Sequence, residues 1–161
     1  MSKINSALAT YLHDHLGAAN FAVELLEHWR DKGEAEAKRF AADLLPEVKR
    51  DRAQLKRVIR AVRDSSHSLK EVAGWVAEKT TRWKLGAAKG KELALFEGLE
   101  VLVLGIAGKH ALWRMLHALA RTHPKLRPFD FTALTRSARQ QQTRAEKWRL
   151  SAGKVALAGE R

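Results

Sequence analysis

Three side chains that could bind a metal or transfer a proton fall on the apolar faces of predicted helices. His15 lies in the middle of the apolar arc of the first predicted helix, and Asp51 lies within the arc of the second. Glu100 belongs to a later helix that is apolar nearly all round. A histidine with two or three carboxylates suits iron or manganese, so we consider a metal site at these three positions. The alternates for the same site are Asp14, Glu47 and Glu97.

The same residues also fit a purely structural role. A buried charge is very costly unless it is paired or hydrogen-bonded, so a carboxylate on an apolar face needs a partner. Asp51 could orient a neutral His15, or a carboxylate could meet Tyr11 or an arginine that faces the core. Of the two interpretations, the sequence favours the structural hydrogen-bond network over the metal site.

A second candidate is a basic face on the second predicted helix. Basic residues recur there at steps of three and four positions, at Lys49, Arg52, Lys56, Arg60 and Arg63. Arg50 and Arg57 flank them, which puts seven positive charges on about 20 Å of helix. Acidic residues are nearly absent from this stretch, so pairs within the helix cannot neutralise it. Such a face is either a solvated surface or a site for an acidic protein, a nucleic-acid backbone or an anionic membrane.

These residues are carried by four long helices and one short helix, all predicted from the spacing of apolar residues. The long helices are expected over residues 5–30, 34–63, 92–121 and 132–157, with Gly33 ending the first and a loop over 123–128. Pro46 predicts a kink or a break in the second. The short helix, over residues 68–85, opens with a capping box at Ser68 and Glu71. Gly98, Gly105 and Gly108 are expected to let helices approach closely.

The segment of residues 64–91 is long enough to cross a bundle, which favours a ferritin-like four-helix bundle with one long crossover. The 161 residues fit one domain spanning 1–161. The sequence contains no cysteine, which excludes thiol catalysis, zinc–thiolate sites, iron–sulfur clusters and disulfides. No apolar run is long enough for a transmembrane segment and no signal peptide precedes the first helix, so we expect a cytoplasmic protein.

Several segments also carry a resemblance to a known group of proteins. These segments are residues 11–17, 24–27, 51–55, 104–109 and 111–114. Through these segments, most of the chain resembles uncharacterised bacterial proteins of the ferritin-like superfamily. Di-iron proteins of this fold carry a Glu-x-x-His motif on two helices, but this sequence contains none and has Gln140, Gln141 and Gln142 on its last helix. The resemblance therefore implies the fold and no particular activity.

Together these features predict a non-catalytic binding or accessory protein that associates through its helix faces, with a homodimer as the expected state. One alternative is a metal-dependent oxidase or storage protein that uses iron or manganese at His15, Asp51 and Glu100. The other is a polyanion-binding protein that uses the basic face between Lys49 and Arg63. The sequence leaves open whether the protein is an enzyme.

Overall fold

The computed structural model describes residues 3–63 and 90–159, with side chains from residue 7 onwards. All regular secondary structure in these ranges is helical. The helices are α1 (Lys3–Lys32), α2 (Ala35–Val62), α3 (Lys91–Leu119) and α4 (Phe131–Ala158), and a 3₁₀ turn spans Pro124–Leu126. The four long predicted helices are confirmed to within two residues at every end. The predicted short helix over residues 68–85 lies outside the described residues.

Local signals in the sequence account for the helix ends. α1 ends at Gly33, whose N–H donates to the carbonyl of Trp29 at 2.9 Å. At the start of α4, the side chain of Asp130 accepts a hydrogen bond from the N–H of Ala133 at 2.9 Å, which satisfies one of the free donors of the first turn. α4 ends at Gly159, whose left-handed φ of 70° favours glycine.

α2 continues through Pro46, so the break that proline could have caused does not occur. Proline lacks the N–H that would bond to the carbonyl of Ala42, four residues earlier. Ala42 and Pro46 are both exposed, so water can satisfy that carbonyl. Asp51 therefore keeps the helical register of the residues before it and stays on the buried face of α2.

The helices form a bundle in which α1 packs on α2 and α3 packs on α4, with further contact between α1 and α3. α3 begins beside the short α1–α2 connection, where Lys91 Nζ lies 3.1 Å from Glu34 Oε1. α2 ends at the other end of the bundle, where it contacts the 3₁₀ turn. The end of α2 and the start of α3 therefore lie about 40 Å apart, given the length of α2. None of the four helices in the described ranges has the length and apolar character needed to span a bilayer.

The interior contains two separate apolar cores. The far core, near the α1–α2 connection, includes Trp29 and Trp148, whose rings meet edge to face at 5.7 Å. The loop-end core, near the α3–α4 connection, includes Trp113 and Phe131, whose rings stack at 6.2 Å. Each helix contributes residues to both cores. The boundary between them is where polar side chains enter the bundle.

Candidate functional site

A closed network of three polar side chains lies at the boundary between the two cores. Lys109 Nζ donates to Asp51 Oδ2 at 2.5 Å and also to Gln141 Oε1. Gln141 Nε2 donates to the same Asp51 oxygen at 3.0 Å and to Ser137 Oγ at 3.2 Å. The side chains of Asp51 and Lys109 are only 6% and 15% exposed. Burial lowers the pKa of Lys109, and the neighbouring Asp51 charge opposes that shift.

The positions of the three residues follow from helical periodicity. Asp51 lies between the buried Val48 and Leu55 on α2, and Gln141 lies between Ala138 and Ala145 on α4. Lys109 lies seven residues from both Leu102 and Leu116, which are buried on α3. The sequence analysis identified Asp51 as buried but missed Lys109 as its partner. The seven-residue spacing is the signal that could have identified it.

A cavity of about 40 Å³ lies beside the network, between α1, α2 and α3. Its apolar walls are mostly small or aliphatic: Ala18, Ala19, Ala22, Val48, Leu55, Gly105, Ile106 and Leu112. A Cβ atom at Gly105 would meet nothing within 4 Å, and one at Gly108 would lie 3.9 Å from His15 Cε1. The expectation of close helix approach at these two glycines is therefore wrong, because their missing side chains leave space instead.

The polar residues that line the cavity are His15, Asp51, Arg52, Lys109 and Trp113. Arg52 Nη1 donates to Asn20 Oδ1 at 3.3 Å. The Trp113 side chain is fully buried, yet its Nε1–H has no hydrogen-bond partner. Burial lowers the pKa of His15, with a smaller opposite contribution from Asp14, so this ring is neutral near pH 7.

The structure brings His15 and Asp51 to the same cavity but leaves Glu100 outside it. Glu100 Oε1 instead lies 3.1 Å from Arg149 Nη1, and its side chain is 46% exposed. Asp51 is already bonded to an ammonium group. Among residues 3–63 and 90–159, no group of three or more His, Asp or Glu side chains is placed to hold a metal ion. The set of His15, Asp51 and Glu100 is therefore not assembled as a three-ligand site.

The alternate ligands do not complete the site. Glu47 Oε2 lies 2.6 Å from Arg144 Nη2, Asp14 is exposed, and Glu97 is half-buried on α3 outside the cavity lining. The competing interpretation, a structural hydrogen-bond network, fits Asp51 better. Its partner is a lysine from α3 rather than His15 or an arginine.

The predicted basic face on α2 divides into two parts. Lys49 Nζ pairs with Glu27 Oε1 of α1 at 2.6 Å, so a neighbouring helix supplies the acid that α2 lacks. Arg52 is half-buried and lines the cavity. The remaining members are exposed, namely Lys56, Arg60 and Arg63. The flanking Arg50 and Arg57 are exposed as well, so the face is partly covered at Lys49 and Arg52 and most open toward the C-terminal end of α2.

The exposed part of this face belongs to a larger basic surface, which we call the basic end. It comprises the part of the bundle around the loop-end core, formed by residues 7–16, 52–63 and 110–139. These stretches contain eleven Lys and Arg but two acidic residues, Asp14 and Asp130. The opposite half, formed by residues 17–50, 90–108 and 140–159, contains eleven basic and eleven acidic residues. All the basic residues of the basic end are exposed except the half-buried Arg52.

Comparisons with protein-family models, with curated proteins and with solved structures find no match for this chain. Function therefore has to follow from its own cavity, buried network and basic end.

Proposed function

We propose that this chain is a non-catalytic, ferritin-like binding protein whose basic end binds the phosphate backbone of a nucleic acid. The observation that carries the proposal is the division of charge between the two halves of the bundle. An ordinary solvated surface mixes positive and negative residues, as the opposite half does. The basic end does not, and clustered Lys and Arg neutralise phosphates and release their counterions.

Two features support the ferritin-like part of the proposal. α2 ends and α3 begins at opposite ends of the bundle, as a topology with one long crossover requires. Lys109 and Gln141 stand in the interior, where di-iron members of the fold carry carboxylates and histidines. An ammonium paired with Asp51 suits a structural interior, which favours a binding role over an oxidase.

The chemistry of the basic end favours nucleic acid over the other polyanions. Nine of its eleven basic residues are arginines, whose planar guanidinium groups can donate two parallel hydrogen bonds to a phosphate. A membrane-binding surface would also present apolar groups for insertion. Of the exposed large hydrophobic residues in the described ranges, Met115 alone lies in the basic end.

The other exposed hydrophobic residues lie in the opposite half, at Val101, Leu104, Leu150 and Leu157. We include in the proposal a homodimer formed through this half, which would leave the basic end of each subunit accessible. A cytoplasmic location is part of the same proposal and is consistent with the absence of cysteine from the sequence.

The test compares two double charge reversals on α2. Lys56→Glu/Arg60→Glu changes the basic end, and Lys38→Glu/Arg39→Glu makes the same change of charge in the opposite half; all four side chains are exposed. Fluorescence anisotropy measures binding of a short DNA duplex and of an RNA strand over a range of salt concentrations. We expect Lys56→Glu/Arg60→Glu to weaken binding about tenfold or more and to lower the salt slope by about 2.

The control variant should bind within about twofold of the wild type, because its positions are remote from the phosphate contacts. Equal losses in the two variants would mean that net charge alone attracts the polymer, and the proposed surface would be wrong. Failure to bind either nucleic acid at low salt, with binding instead to phosphatidylserine vesicles or polyglutamate, would reassign the basic end to a membrane or an acidic protein.

A further inference from the structure

Among the described residues that line the cavity beside the buried network, Lys109 and Trp113 carry hydrogen-bond donors that the protein does not fully satisfy. A lysine ammonium carries three N–H groups, and those of Lys109 reach two protein acceptors, on Asp51 and Gln141. The Nε1–H of Trp113 has none, although that residue is fully buried. Buried donors are nearly always satisfied by protein, water or a ligand, because leaving one unpaired is costly. Because Trp113 lines the cavity, an acceptor held there, either water or a ligand, could satisfy this donor.

The charges around the cavity favour an anion. Arg52 and Lys109 are positive and Asp51 is negative, so the charged lining residues sum to one positive charge. His15 is neutral near pH 7, because its burial lowers its pKa. A ligand with a single negative charge would balance this lining, whereas a metal cation would be repelled by it.

The size and walls of the cavity limit the ligand further. A buried water needs roughly 10–15 Å³ of such space, so about 40 Å³ accommodates three or four non-hydrogen atoms. The alanines of α1 supply an apolar wall opposite Lys109 of α3. An ion with a charged head and a short alkyl tail matches both features better than an inorganic anion does.

We propose that this cavity binds a short aliphatic monocarboxylate. Its carboxylate accepts hydrogen bonds from Lys109 and Trp113 near Arg52, and its alkyl group packs on Ala18 and Ala22. This site lies inside the bundle and shares Arg52 with the basic end, but it does not depend on nucleic-acid binding. Gly105 lines the same cavity, and its lack of a side chain leaves room for the ligand.

The test uses the full chain with sodium acetate as the probe, because this carboxylate has four non-hydrogen atoms. Isotope-edited NMR follows the indole N–H signals, and Trp113→Phe identifies the signal of Trp113. We expect that signal to shift saturably, with a Kd of about 1 mM for ligands this small. Calorimetry should show that Trp113→Phe, which removes the donor but keeps an aromatic ring, weakens binding about tenfold or more.

The matched control is Trp148→Phe, the same substitution in the far core, which should leave the affinity unchanged. Arg52→Gln gives a second test should Trp113→Phe fail to fold, and it should also weaken binding about tenfold. Lys56→Glu/Arg60→Glu should bind carboxylates normally, which separates carboxylate binding from nucleic-acid binding.

Three results would overturn the inference. The first is no saturable shift up to roughly 50 mM carboxylate, well above the expected Kd. The second is the same shift with sodium chloride at equal ionic strength, which would indicate a general anion effect. The third is an equal loss of affinity in Trp113→Phe and Trp148→Phe, which would indicate altered packing rather than a lost donor.

Discussion

Removing one partner of the buried Asp51–Lys109 pair should strongly destabilise the protein, whereas replacing the whole pair by apolar residues should change its stability little. Asp51→Leu leaves the Lys109 ammonium buried with a single protein acceptor, on Gln141. Lys109→Met leaves the Asp51 carboxylate with the Gln141 amide alone. Each single variant therefore retains a charge that has lost its counter-charge in an environment with little access to water.

The size of the expected loss in the free energy of unfolding follows from the burial of the pair. Removing one partner of a buried ion pair costs about 3–5 kcal/mol, whereas replacing the whole pair by apolar groups of similar volume is often neutral or stabilising. The triple variant Asp51→Leu/Lys109→Met/Gln141→Leu removes both charges and the amide that bonds to them. We expect its free energy of unfolding to lie within about 1 kcal/mol of the wild-type value or above it.

Urea unfolding followed by far-UV circular dichroism measures these free energies, and thermal unfolding checks them. For a chain of this length, a loss of 3–5 kcal/mol lowers Tm by roughly 6–20 °C. Glu34→Gln is the control, because its pair with Lys91 is largely exposed and should contribute about 0–1 kcal/mol. Single variants as stable as Glu34→Gln would refute the reasoning, since they would mean that water reaches the pair.

Three further predictions concern the cavity, the glycines and the metal. Burial lowers the pKa of His15 below that of the unfolded chain, so stability should fall as the pH drops below about 6.5, and His15→Gln should flatten that dependence relative to the exposed His117→Gln. Gly105→Ala should stabilise the protein by about 0.5–1 kcal/mol because its Cβ enters open space. Gly153→Ala should destabilise it, because its Cβ would lie 2.9 Å from Phe96 Cε2; thermal unfolding compares the two. Elemental analysis after anaerobic exposure to Fe(II) and Mn(II) should find well under one equivalent of metal, and the same amount in Asp51→Ala.

The helices and the burial of Asp51 could be predicted because both depend on local sequence. Gly33, Pro124 and Pro128 interrupt the pattern, and Asp51 falls within a narrow apolar arc on α2. The partner of Asp51 could not be predicted as readily. Periodicity gives the direction of a side chain around its own helix, but not which residue of another helix lies opposite.

Glu100 was placed wrongly for a related physical reason. α3 is apolar on nearly every side, so its sequence does not define which face is buried. A carboxylate on such a helix looks enclosed from sequence alone. In the structure it lies at the α3–α4 edge, where Arg149 pairs with it and water reaches nearly half of its surface.

The basic end was predicted in part. The periodic Lys and Arg residues of α2 were visible in the sequence, but the residues that join them come from the second half of α3, the connection and the start of α4. Arg57 shows how the fold brings these pieces together, since its guanidinium lies 5.8 Å from the ring centre of Phe129. The packing of the 3₁₀ turn against α2 and the shared loop-end core bring them together.

The division of charge along the bundle also has a consequence at long range. The described residues, with balanced charge in one half and a large positive excess in the other, contribute an electric dipole moment along the long axis of the bundle. The field of a polyanion exerts a torque on such a dipole before the two surfaces touch. On the proposed function, this torque turns the loop end of the protein toward the polymer during diffusion, so the approach is end-on rather than side-on. Added salt weakens this pre-orientation within a Debye length, about 10 Å at 0.1 M.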